Sequence, residues 1–122
     1  MQSVSLSGVL SQKRLDELNA MIGEQLPVIL NTYIETSIQN VEELETAFQS
    51  LNYTILSEVS HKLKGSSASI GATNLPNQCV ELESKLQNTS DINEISKVLS
   101  MIKSENSAII HNLKNYLNSL NP

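Results

Sequence analysis

The chain has 122 residues and a formal net charge of −5, with one phenylalanine, three tyrosines and no tryptophan. That length suits one domain rather than two, and an acidic chain does not suit a phosphate backbone, so no nucleic-acid partner is expected. The single cysteine, Cys79, excludes an internal disulfide and a four-cysteine zinc site, and no segment approaches the roughly 18 apolar residues of a membrane span, so no membrane contact is expected.

Four glycines and three prolines are few for a chain rich in turns, and the frequent Leu, Glu, Lys, Gln and Ala favour helices. Residues 1–10 are Ser-rich and weakly patterned and are read as an N-terminal tail or a short leading helix; residues 11–122 are read as the folded domain. A first short helix runs from about Ser11 to Ile22 with Leu15 and Leu18 inward, and Gly23 can supply the left-handed turn that ends it. The second helix begins near Gln25 with Pro27 in its first turn, where the missing N–H costs little. Leu26, Leu30, Tyr33, Ile34, Ile38, Val41, Leu44, Phe48 and Leu51 then recur at gaps of three and four and define one apolar face. Glu35, Glu42, Glu43 and Glu45 between them read as a solvated face.

Asn52 is the expected cap of a third helix that runs to about Ile70 and is ended by Gly71. Asn74 or Thr73 is expected to cap the fourth, whose first turn holds Pro76 and whose inner face is Leu75, Cys79, Leu82 and Leu86. Ser90 and Asp91 open the fifth, with Glu94 three residues after Asp91 as a variant capping box. Its apolar positions are Ile92, Ile95, Val98, Leu99, Ile102, Ile109, Ile110, Leu113, Leu117 and Leu120. Short connections between long amphipathic helices favour antiparallel neighbours. The expected fold class is therefore all-α: an antiparallel four-helix bundle with an additional short N-terminal helix.

One stretch carries chemistry, Ser60-His61-Lys62-Leu63-Lys64-Gly65-Ser66-Ser67-Ala68. On a helical wheel with His61 at zero, Val59, Leu63, Leu56 and Ile70 fall between about 160° and about 220°. His61 is thus expected to project to solvent from mid-helix. Lys64, at about −60°, Gly65, at about 40°, and Ala68, at about −20°, lie on its side of the wheel, and Lys62 is off at about 100°. A glycine inside an exposed helix costs roughly 1 kcal/mol against alanine, so a bare surface beside the imidazole calls for a reason: the approach of another protein. Neutral imidazole is a good nucleophile near neutral pH, and phosphoryl transfer needs mainly positioning and charge neutralisation, which Lys64 can supply one turn from the ring.

His61-Lys62-Leu63-Lys64-Gly65-Ser66-Ser67, followed by Gly71-Ala72 and Leu75, resembles the signature of the histidine-containing phosphotransfer (HPt) family. The resemblance implies a phosphorelay intermediate that carries a phosphoryl group on His61 between aspartates of receiver domains. It implies attack through Nε2, stabilisation of the phosphoryl group by Lys64 and access at Gly65, with Lys62, Ala68, Ser57 and Glu58 on the partner surface. Many relatives have a glutamine 22 residues after the histidine. Here the residue is Glu83, which accepts rather than donates and either orients the imidazole or pairs with Lys64. The implied partners are the receiver domain of a response regulator or of a hybrid sensor kinase. Magnesium would sit on that receiver, and this chain would have no cofactor and no metal of its own.

Gly8, Gly23, Gly65 and Gly71 are too widely spaced to cradle a nucleotide, so a phosphocarrier without kinase activity is expected. No signal peptide is legible, and a cytoplasmic monomer is expected. Two other readings compete. Glu58-Val59-Ser60-His61 has the Glu-x-x-His spacing of di-iron bundles, but His111 has Ala108 three residues before it and the second pair is missing. A helical interaction module or regulator without phosphotransfer would not need His61, Lys64 and Gly65 together. Cys79 reads as a small core residue, His111 as a surface histidine, and Tyr33 and Phe48 as packing residues of the second helix.

Overall fold

A computed structural model describes residues 8–120 of the chain. Its helices are α1 (Gln12–Ile22), α2 (Leu26–Gln49), α3 (Tyr53–Ser69), α4 (Leu75–Asn88) and α5 (Ile92–Leu120), with a 3-10 turn at Gly23–Gln25. α3 packs on α2 and α4, and α5 packs on α4 and α2, so the four long helices close a ring around one core. The short connections 50–52, 70–74 and 89–91 make each helix antiparallel to the next. The expected bundle with a short extra N-terminal helix is thus the observed one. Leu15, Leu26, Leu30, Leu44, Leu56, Leu63, Leu75, Leu82, Ile95, Ile102 and Ile109 fill its centre.

Helix ends follow local chemistry. The Ser11 side chain accepts from the Arg14 N–H at the start of α1. Asn52 Oδ1 accepts from the Ile55 N–H, as the sequence led one to expect. At α4, Asn74 is the N-cap residue, as expected, but its side chain makes no capping bond: the Asn74 amide donates to Glu105 Oε2 at 3.2 Å, and the Thr73 hydroxyl donates to the Gly8 carbonyl. The capping box at α5 is also rearranged. Thr89 Oγ1 takes the Asp91 N–H, and Glu94 turns to the Thr89 hydroxyl and Lys85.

Two helices end in the same turn with different residues. After α3, Gly71 has φ +91°, and the Ala72 N–H reaches back to the Ser67 carbonyl at 3.0 Å. After α2, Leu51 takes the left-handed position with φ +53°, and the Asn52 N–H reaches the Ala47 carbonyl at 2.8 Å. Leu51 therefore turns away from the core and is exposed, contrary to its placement on the apolar face. Ile38 and Ile92, also expected inside, are each more than two-fifths exposed.

The turn after α3 is strapped by the chain before α1. Leu10 pairs with Ala72 in an isolated antiparallel bridge, the Ser11 N–H donates to the Gly71 carbonyl at 2.7 Å, and the Thr73 N–H donates to the Val9 carbonyl at 3.0 Å. Val9 and Leu10 are buried in the core, so packing begins upstream of residue 11. Residues 1–7 of the expected tail lie outside the described residues.

Polar groups also sit inside. The Tyr33 hydroxyl donates to Asn106 Oδ1 at 2.9 Å, Asn106 Nδ2 donates to Ser37 Oγ at 3.0 Å, and Ser37 Oγ donates to the Ile34 carbonyl. This chain of satisfied bonds locks the register of α2 against α5, because any slip would leave buried polar atoms unpaired. Tyr33 is thereby fully used as a packing and bonding residue, and Phe48 packs half-buried on the same core.

Candidate functional site

The outward direction of one α3 residue follows from what the rest of the helix buries. Leu56, Val59, Ser60, Leu63 and Ser67 face the core. The His61 side chain, opposite them, is 71% exposed. Ser60 fixes the helix at this level: its hydroxyl donates to the Cys79 carbonyl of α4 at 3.0 Å, in a fully buried contact. That bond sets the height of α4 beside His61 and brings up the residue one turn past Cys79, which is Glu83.

Glu83 Oε1 lies 3.7 Å from His61 Nδ1, and only 24% of the Glu83 side chain is exposed. The same oxygen is buried and has no hydrogen-bond partner. Of the two roles left open for Glu83, the structure forms the approach to the imidazole and not a pair with Lys64, since no ion pair joins Lys64 to Glu83. Lys64 is half-buried on the same helix. The Cys79 thiol beneath them registers both charges. Burial pushes it up to about 12, the Glu83 carboxylate adds to that rise, and the Lys64 ammonium and the Ser60 hydrogen bond oppose it. Cys79 is therefore a buried, protonated thiol, as expected for a core residue.

Gly65 sits one turn beyond His61 with its backbone in the helix. A Cβ built there meets no other atom within 4 Å, so the backbone does not require glycine and the space above it is open. Lys62, Ala68, Ser57 and Glu58 are exposed. Ser57 and Glu58 border a shallow depression between α3 and α4 with Tyr53, Thr54, Leu86 and Gln87. His111 is exposed on α5, its Nε2 3.4 Å from Asn115 Nδ2, far along the sequence from this constellation. Among the described residues no three His, Cys, Asp or Glu side chains come together as metal ligands, so the inward ligand set of a di-iron bundle is not assembled around Glu58 and His61.

The constellation is thus a largely exposed imidazole with Nδ1 backed by a carboxylate, a cation on the same helix and a bare surface one turn away. The Hpt domain profile matches residues 28–118, which include α3, α4 and most of α2 and α5. The chain belongs to the Hpt domain family. Within that family it is 36% identical over 81 residues to the phosphorelay protein LuxU of Vibrio harveyi, a match that covers 63% of this chain and 68% of that protein. Its fold superposes on the crystal structure of histidine-containing phosphotransfer protein B from Pseudomonas aeruginosa PAO1 with a TM-score of 0.82 at 23% identity, covering 88% of this chain and 92% of that one. The Hpt domain of a sensor hybrid histidine kinase from Shewanella gives a TM-score of 0.78 at 19% identity, over 97% of this chain and all of that one.

The placement of His61, Lys64 and Gly65 on the outer side of α3 was legible in the sequence. What sequence reading missed is the Ser60–Cys79 bond, which decides where α4 stands and hence which α4 residue meets the ring. The only signal for it is a serine at a core position of α3, which hydrophobic patterning passes over.

Proposed function

We propose that this Hpt domain is a phosphorelay intermediate: His61 accepts a phosphoryl group from an aspartyl phosphate on a receiver domain and returns it to an aspartate on another. The observation that carries the reading is the exposed His61 ring beside the open space at Gly65. The ring nitrogen away from Glu83, Nε2, is the nucleophile. Its lone pair forms the N–P bond as the P–O bond to the receiver aspartate breaks and the electron pair leaves with that carboxylate. The transition state is loose, with charge spread over the phosphoryl oxygens, and catalysis is mainly positioning and neutralisation. Lys64 supplies the nearby cation, and Lys62 adds positive potential at longer range.

The partner is the receiver domain of a response regulator or of a hybrid sensor kinase, docking over α3 with Gly65, Ala68, Lys62, Ser57 and Glu58 at its footprint. Magnesium belongs to that receiver, and this chain brings the nucleophile and the cation. The naming of LuxU as a phosphorelay protein supports this role. The chain acts as a phosphocarrier without a kinase activity of its own. A cytoplasmic monomer is the proposed form, with His61 facing solvent on every copy.

The test mixes the chain with a receiver domain carrying labelled aspartyl phosphate. An acid-labile, base-stable label is expected on the wild type and absent from His61→Gln. Label on neither protein, with His61→Gln still active in the signalling pathway, would mean a binding module without phosphochemistry.

A further inference from the structure

We propose that residues 8–11, together with Arg14, form a latch that keeps the last turns of α3 helical and so holds the docking surface in its receptive shape. The inference rests on the reading of α3 as the surface that meets a receiver domain. It starts from a weakness in the sequence. Gly65-Ser66-Ser67-Ala68-Ser69 close α3, and all but Ala68 favour a helix less than alanine does, glycine least of all. The hydroxyls of Ser66, Ser67 and Ser69 turn back onto the carbonyls of Leu63, Lys64 and Ser66, and such back-bonding slightly destabilises a helix. Packing does not make up the difference. Between Leu63 and Ile70 only Ser67 is buried, and its hydroxyl bonds within α3 rather than across to a neighbour.

The support comes from a segment far away in sequence. The Leu10–Ala72 bridge joins that segment to the turn directly after α3, with the Ser11 N–H on the Gly71 carbonyl at 2.7 Å and the Thr73 N–H on the Val9 carbonyl at 3.0 Å. The Thr73 hydroxyl adds a bond to the Gly8 carbonyl. Arg14 acts on the helix itself. Its Nε–H donates at 3.3 Å to the carbonyl of Ser69, the last residue of α3, which the helix leaves without a partner of its own. A cation there also meets the negative end of the helix dipole. The aliphatic part of Arg14 lies over Gly71, where an added Cβ would come within 3.1 Å of it.

These contacts are few and lie at one end of the bundle, so they can open without opening the core between α2 and α5. With the latch seated, Gly65 and Ala68 stand on formed helix. With it released, α3 frays backward from Ser69 through Ala68 toward Gly65. His61, one turn further in, stays on formed helix between the buried Val59 and Leu63. A receiver then meets a footprint that is present only part of the time, and its apparent affinity falls by the competent fraction. The burial of Val9 and Leu10 opposes release, so the latch is closed in the resting chain. Arg14 is a positioning residue, because it acts through the end of α3 and not on the ring.

The experiment uses the full chain as wild type, Leu10→Glu, Arg14→Ala, and Leu10→Cys combined with Ala72→Cys. Leu10 and Ala72 face each other as a pair without mutual hydrogen bonds, a geometry that brings Cα atoms to ~4.5 Å, within reach of a disulfide. Amide hydrogen exchange reads local opening. Transfer to His61 is followed against the concentration of a receiver domain phosphorylated by acetyl phosphate with magnesium. Leu10→Glu is expected to lower protection of amides 66–72 by about tenfold or more, and Arg14→Ala to lower it less, while amides around Ile102 and Ile109 in α5 keep theirs. The half-saturating receiver concentration is expected to rise roughly threefold to tenfold in Leu10→Glu with the limiting rate unchanged, as loss of a competent fraction requires. The oxidised double variant is expected to match wild type in both readings, and its reduced form to fall toward Leu10→Glu. Protection lost equally in α5, in Arg14→Ala as in Leu10→Glu, overturns the latch. Protection lost at 66–72 with an unchanged half-saturating concentration overturns its link to docking. A wild type that takes no label on His61 overturns the phosphocarrier reading, while the protection pattern tests the latch by itself.

Discussion

Alanine at position 65 is expected to stabilise the fold and glutamine there to cripple transfer, because on the proposed function Gly65 serves a docking partner and not the helix. Its backbone is helical, it has no positive φ, and a Cβ would enter empty space. Gly65→Ala therefore gains helix propensity of roughly 1 kcal/mol with no clash to offset it. At about 2.1 cal/mol/K of unfolding entropy per residue, a chain of this length converts that gain into a melting-temperature rise of about 4 °C. Circular dichroism melts and urea titrations read it. Gly65→Gln retains more than half of the gain, because glutamine is also a good helix former, yet its side chain stands in the space beside His61. Phosphoryl exchange with a receiver should then slow by more than about tenfold, since small displacements from the in-line geometry are costly. A melting temperature that falls for Gly65→Ala would show that the position is not open helix. Unchanged exchange in Gly65→Gln would end the argument that glycine is there for access.

Gly71→Ala should have the opposite sign from Gly65→Ala. With φ +91° and a Cβ placed 3.1 Å from the Arg14 Cβ, it is expected to lose at least about 1 kcal/mol in urea titration. Lys64→Ala should keep the helical signal and melting temperature within about 0.5 kcal/mol of wild type while exchange slows or phosphohistidine decays faster; loss of the helical signal would mean that Lys64 holds the bundle together. Alkaline pH should weaken the fold through Cys79. Its thiol proton is retained in the folded state to about 12 against 9.0 for an unburied thiol, so stability is full below about 9 and falls as pH rises from 9 toward 12. Tyr33, also raised by burial, acts in the same direction, and a denaturation series across that range should flatten in part in Cys79→Ala.

The bundle was readable because Leu and Ile recur at helical spacing, and their burial at Leu26, Leu30, Leu44, Ile95, Ile102 and Ile109 follows the pattern. The misplacement of Ile38 comes from polar residues that take core positions. On α2 the inward positions between Ile34 and Leu44 are Ser37 and Asn40, while Ile38 faces out; on α5 Asn106 and Asn112 are inside. A hydrophobic pattern cannot register a polar residue whose partner is on another helix, and Ser37 and Asn106 are buried because each satisfies the other. Leu51 misled because the turn after α2 takes a left-handed residue without using glycine. The direction of His61 was legible since it is fixed by apolar neighbours on its own helix. The target of Glu83 was not, because it depends on the register between α3 and α4 that the Ser60–Cys79 bond sets. The strap of Val9 and Leu10 over the turn after α3 was hidden for a similar reason: pairing with Ala72 and Thr73 is a long-range bond without a periodic signature.

The most direct measurement is 31P and 15N NMR of the chain after exchange with a phosphorylated receiver. A single phosphoramidate resonance coupled to Nε2 of residue 61, with Nδ1 still bearing its proton, is the predicted result. A phosphoryl group on Nδ1, on His111 or on any hydroxyl would contradict the account.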